Sequence, residues 1–76
     1  MTNTELLKKA IEKSGMKIGF ILERMNIKSY STLRDKIEGR REFTASEIYS
    51  LCEILHLDKV QMDEIFFAST AEYHSA

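Results

Sequence analysis

The sequence predicts an all-α fold of five short helices, and three observations predict it. Apolar residues recur at the i, i+3, i+4, i+7 spacing of a single helix face, capping signals stand ahead of those stripes, and no stretch shows the alternation of a half-buried strand. The 76 residues contain no proline, so no helical stretch is broken from within. A chain of this length makes one domain that buries only about 60% of the surface its unfolded form exposes. Little room is left for an enclosed active-site cavity.

Thr2-Asn3-Thr4-Glu5 has capping-box spacing, with Thr2 placed to accept from the Glu5 amide, and predicts a first helix from about Asn3 to Ser14. Leu7, Ala10 and Ile11 share its inner face, and Gly15 supplies the left-handed stop. Helix 2 carries Ile18, Ile21, Leu22 and Met25, the strongest periodic signal in the chain and a core stripe. Gly19 lies inside it at a cost of about 0.8 to 1 kcal/mol relative to Ala, which means either another backbone packed close or a tolerated weakness. Phe20 is off the stripe. Asn26-Ile27-Lys28 then puts a residue suited to the left-handed conformation past the helix, followed by an apolar plug. Ser29 caps helix 3, about Ser29 to Glu38; Leu33 and Ile37 anchor it, so Tyr30, Ser31, Arg34 and Asp35 project elsewhere, and Gly39 stops it.

Thr44-Ala45-Ser46-Glu47 repeats the capping-box spacing and opens helix 4 with Ile48, Leu51, Cys52 and Leu55 on one face. Asp58 caps helix 5, which carries Met62, Ile65 and Phe66. The expected organisation is one domain over residues 1–68 and a polar, flexible tail over 69–76.

Helices 2 and 3, short and joined by a tight turn, read as a helix-turn-helix whose second helix can enter a DNA major groove. Charge supports this. From Lys17 to Arg41 seven basic residues (Lys17, Arg24, Lys28, Arg34, Lys36, Arg40, Arg41) stand against three acidic ones (Glu23, Asp35, Glu38), although the whole chain carries −1. Beyond Arg41 only Lys59 is basic. A basic face opposite an acidic one orients a domain on a polyanion and limits nonspecific binding.

No apolar run reaches the roughly 18 residues of a membrane span, and a single cysteine fits a reducing compartment, so the expectation is a cytoplasmic protein without membrane contact. One cysteine and two histidines make a poor metal site, and neither metal nor cofactor is expected. Cys52 and His56 are four apart, as a nucleophile and base are, but Cys52 sits on the core stripe and His56 at a helix end. No enzymatic activity is expected.

With these features in place, the chain resembles the Cro and repressor type of helix-turn-helix protein, the XRE-like regulators, and within them the small phage Cro-like proteins of Gram-positive hosts. The resemblance runs from Leu6 to Phe66: Gly-Met-Lys before helix 2, the Ser31–Ile48 block S-T-L-R-D-K-I-E-G-R-R-E-F-T-A-S-E-I, and the closing Leu55–Phe67 stretch. The chain departs from it at Ile18, where many relatives have a phosphate-contacting Gln, at Leu22, where a small residue is usual, and in a turn before helix 3 that is one residue longer. The resemblance implies a transcriptional repressor that occupies a double-stranded DNA operator.

Residue chemistry then assigns roles. Arg34 suits bidentate pairing with guanine; Ser31 and Thr32 suit base edges or phosphate; Tyr30 suits a thymine methyl or a phosphate. Lys36 reaches base or backbone, and Asp35 either accepts from cytosine or, preferably, orients Arg34 or a lysine. Lys17, Lys28, Ser29, Arg40 and Arg41, at the ends of the motif, are the expected phosphate contacts. Against these, Tyr30 packed on its own motif and Arg40 and Arg41 as solvated loop charges are the plainer readings, while Phe43 is expected to anchor its loop over the core.

One such domain reads few base pairs, so a homodimer on two half-sites is expected, formed through helix 5 and the tail with Phe66, Phe67 and Tyr73. The alternative there is a monomer in which Phe67 closes the core. No small-molecule effector pocket is evident. A different class of function, an antitoxin or adaptor that binds a protein through its acidic, apolar C-terminal third, remains the second expectation.

Overall fold

Helix α1 spans Thr4–Ser14, α2 Ile18–Arg24, α3 Tyr30–Ile37, α4 Ala45–Leu55 and α5 Lys59–Phe66 in the computed structural model, which describes residues 2–67. No strand occurs among the described residues. The expected tail, with Tyr73, lies outside them.

All the helices but α2 start where a side chain satisfies amides that the first turn leaves without partners. Asn3, not Thr2, caps α1: its Oδ1 accepts from the Leu6 amide at 3.1 Å. The start is one residue later than expected, and the Asn3 amide donates to the Ile65 carbonyl at 2.6 Å, which ties the beginning of the chain to α5. Ser29 caps α3 by accepting from the Thr32 amide, and Thr44 and Glu47 complete a reciprocal box on α4. Asp58 and Gln61 form the same box on α5.

The helix ends follow the same logic. Gly15 at φ 72° and Gly39 at φ 86° take the left-handed conformation, and Asn26 and His56 take it without being glycine, at φ 60° and 55°. After α2, α3 and α4 the next amide reaches back over the turn: Ile27 to the Leu22 carbonyl at 3.2 Å, Arg40 to Asp35 at 2.8 Å and Leu57 to Cys52 at 2.9 Å. This is the Schellman arrangement, and Leu22 and Ile27 are both partly buried against the core. At Gly39 a Cβ would come within 3.1 Å of the Thr4 methyl carbon, a second reason for glycine there.

Every helix contributes to one core: Leu7 and Ile11 from α1, Ile21 and Met25 from α2, Leu33 and Ile37 from α3, Leu51, Ile54 and Leu55 from α4, and Ile65 and Phe66 from α5. Phe43, in the loop before α4, closes it with an edge-on contact to Phe66 at 5.7 Å between ring centres. Phe66 is therefore a core residue, 3% exposed, and its expected place at a dimer surface is corrected. The Phe43 ring, arriving from the loop, draws Phe66 inward as its partner.

Helix α1 packs on α3, α4 and α5, and α2 on α3 and α4; among the described residues α3 packs on α1 and α2, and one side of it is left open. Phe20 is 47% exposed with the Arg24 guanidinium 5.7 Å above its ring. Around Gly19 no atom of another described element lies within 4 Å of where a Cβ would be, so none of their backbones packs against it. Gly19→Ala is accordingly expected to raise folding stability by about 0.5–1 kcal/mol, read as a higher urea midpoint at constant slope.

Candidate nucleic-acid interface

Helix α3 owes its orientation to Leu33, fully buried, and Ile37, 8% exposed, four residues apart on one face. The helical period then turns Tyr30, Ser31 and Arg34 outward, all exposed, with Thr32, Asp35 and Lys36 partly covered on the flanks. At the N-terminus of α3, Ser29 Oγ accepts from the Thr32 amide at 3.4 Å and shares a hydrogen bond with Ser31 Oγ at 2.8 Å. Hydroxyls and the positive end of the helix dipole thus meet at one end of the exposed face, an arrangement that favours anions.

Arg34 lies over the ring of Tyr30, one turn earlier, 5.5 Å from its centre. Both side chains border a groove of about 280 Å³ against α1, with Ile11, Ile18 and Ile37 also in its lining. Tyr30 remains 49% exposed, so it supports Arg34 without being enclosed. Asp35 is paired with neither Arg34 nor a lysine: its Oδ1 accepts from Arg40 Nε at 3.0 Å and forms an ion pair with Nη2 at 3.0 Å. Helix α3 and the basic loop after it are joined by this pair.

Lys36 is the expected base reader that the geometry places elsewhere. Its ammonium sits 2.6 and 2.7 Å from the two carboxylate oxygens of Glu47 on α4, with only 12% and 18% of the two side chains exposed. A second cross-helix pair, Lys8 to Glu38 at 2.7 Å, links the end of α3 to α1 at higher exposure. Neither partner of α3, Glu47 nor Lys8, was visible in the sequence; contacts between residues 11 and 30 positions apart follow no helical spacing.

Four of the expected contact cations, Lys17, Lys28, Arg34 and Arg41, hold no ion pair among the described residues. Lys17 precedes α2, whose N-terminus has no side-chain cap, and Lys28 and Arg41 flank α3 in sequence. Arg24, also without a carboxylate partner, borders a different cleft beside α4 with Tyr49, Glu53 and His56. The positive charge of the Lys17–Arg41 segment is therefore divided: some of it is consumed in holding α3, and the rest is left to solvent around it.

Two carboxylates register these contacts. A hydrogen bond from Lys8 holds the Glu38 carboxyl below its ordinary value of 4.5. For Glu47 burial pushes upward, but hydrogen bonds from Lys36 and the Thr44 amide outweigh it and the net shift is downward. A lowered folded-state value means that the folded chain releases this proton more readily than the unfolded chain. The stabilisation is therefore present above pH 4.5 and lost as the pH falls through the lowered value. Urea midpoints should drop on acidification below 4.5, and Glu47→Gln should flatten part of that drop.

Burial pushes the Cys52 thiol up from 9.0, which disfavours the thiolate a nucleophile needs, and His56 is occupied in ending α4. No group of three or more His, Cys, Asp or Glu side chains suited to a metal occurs among the described residues, and no helix there is long and apolar enough to cross a membrane. Comparison with protein-family models, with curated proteins and with solved structures returned no match.

Proposed function

We propose that this chain is a sequence-specific double-stranded DNA-binding transcriptional regulator, a Cro-like repressor in which α2 and α3 form a helix-turn-helix and α3 enters the major groove. The observation that carries the proposal is the face of α3. It is anchored by Leu33 and Ile37, outward-facing at Ser31 and Arg34, and accompanied by Lys17, Lys28 and Arg41, which have no carboxylate partner among the described residues. Arg34 reads a base, while Ser29 and the unpaired lysines hold phosphates and set the register. The bare start of α2 and the open space at Gly19 suit close approach of a phosphate to backbone amides.

A cytoplasmic homodimer on an inverted repeat completes the proposal, because two half-sites supply the specificity one short helix lacks. Of the residues expected at that contact, Phe67 is 40% exposed and available.

The test is a salt titration of binding to duplex DNA. The logarithm of the affinity should fall linearly with that of salt concentration, and Lys17→Ala should make the slope shallower by about 0.9 for every sequence alike. Affinity that does not respond to salt would rule out phosphate contacts. A specific feature favours the second reading, a protein-binding adaptor or antitoxin: an uncharged groove between the start of α4 and the end of α5, bordered by Ile48, Met62, an exposed Tyr49 and Phe67. A partner that stays bound at high salt would support it.

A further inference from the structure

The Lys36–Glu47 pair differs from every other ion pair described here. Lys8–Glu38, Asp35–Arg40 and Lys59–Asp63 leave at least 37% of each side chain exposed, whereas Lys36 and Glu47 are 12% and 18% exposed. The Glu47 carboxylate is also fixed before Lys36 reaches it. Its Oε1 accepts from the Thr44 amide at 2.9 Å, and the Glu47 amide donates to Thr44 Oγ1 at 3.2 Å. The pair spans a gap, since α3 packs on α1 and α2 and not closely on α4.

We propose that Glu47 is a positioning residue that limits sequence-independent binding: it holds Lys36 against α4 and so removes one mobile positive charge from the DNA-facing side of α3. The proposal rests on the DNA-binding reading. Lysine is a compact point charge on a flexible four-carbon stem and attracts any phosphate, whereas the planar fork of Arg34 discriminates among base edges. A free lysine beside Arg34 would add a phosphate contact that raises affinity for all duplexes together and carries no sequence information. Arg40 is not restrained in the same way, because its pair with Asp35 leaves it 60% exposed and readily exchanged for phosphate.

Glu47→Gln tests this in the full-length chain with mixed-sequence duplex DNA as the probe. Glutamine keeps the Oε1 that caps α4 but removes the carboxylate charge and turns the second oxygen into an amide donor facing the ammonium, so Lys36 is no longer held against exchange for phosphate. The expected result is a salt slope steeper by about 0.9, or about 3- to 4-fold more affinity lost over a fourfold rise in salt. Glu47→Gln combined with Lys36→Met should restore the original slope. Glu53→Gln, the same charge change at an exposed position of α4, should leave it unmoved.

Lys36→Met alone needs no rearrangement of the cap and should match the unaltered chain. A slope shallower by about 0.9 in that variant would make Lys36 a phosphate contact and overturn the proposal. An unchanged slope in a folded Glu47→Gln protein, or a double variant that keeps the steep slope, would overturn it too. Salt-independent behaviour of the unaltered chain would instead remove the DNA-binding reading on which it stands.

Discussion

Leu33→Ala is expected to cost about 2–5 kcal/mol of folding stability, the largest loss of any single substitution in α3. Leu33 is fully buried, as are Leu7, Ile21 and Leu51, so α1 to α4 each send one such side chain into the centre. A chain of 76 residues has on the order of 4–11 kcal/mol of stability, by the usual 0.05–0.15 kcal/mol per residue, and can lose much of it at this one site. The loss combines the transfer of the leucine side chain with the cavity that neighbours on α1 and α2 cannot fully close. Urea unfolding should show a lower midpoint with the same slope. Tyr49→Ala, at a position 65% exposed, should stay within about 0.5 kcal/mol. A loss below 1 kcal/mol for Leu33→Ala would mean that α3 is not seated as described.

Arg34→Ala is expected to lower discrimination at one base position by about 1–3 kcal/mol, or about 5- to 150-fold, while leaving preferences elsewhere in the site intact. The guanidinium is exposed, unpaired with any carboxylate among the described residues, and rests on the Tyr30 ring at 5.5 Å. Stacking restricts its motion without consuming its hydrogen-bond donors, so less freedom is lost when it pairs with a base. Arg34→Lys separates charge from shape. It should retain most of the affinity and salt dependence but lose the same base preference, because an ammonium has no fork. Competition binding against duplexes altered at each position reads both effects. Equal loss at all positions for Arg34→Ala would reassign Arg34 to phosphate.

The caps were the most legible part of the fold. Thr44 and Glu47, Gly15, Asn26 and Ser29 act through neighbours within three or four residues, so spacing alone carries the information. The α2 stripe was legible for the same reason, with Ile21 and Met25 in the core and Ile18 and Leu22 packed against it. Asn3 rather than Thr2 caps α1, and its amide bonds a carbonyl of α5, 62 residues away, a contact that no local spacing reveals. Phe66 went inward because Phe43 arrives from a loop that has no periodicity. In the candidate site, the outward set Tyr30, Ser31 and Arg34 followed from the two anchors Leu33 and Ile37. The assignments of Lys36 to Glu47 and of Asp35 to Arg40 were hidden, since one joins two helices and the other crosses the Gly39 turn.

Selection of bound duplexes from a randomised DNA pool, repeated at low and high salt, addresses the sequence-reading role of α3 most directly. An inverted repeat should be enriched, with half-sites about 10–10.5 base pairs apart centre to centre, and its preference should persist as overall affinity falls with salt. A pool that stays random at both salt concentrations would contradict a sequence-reading α3.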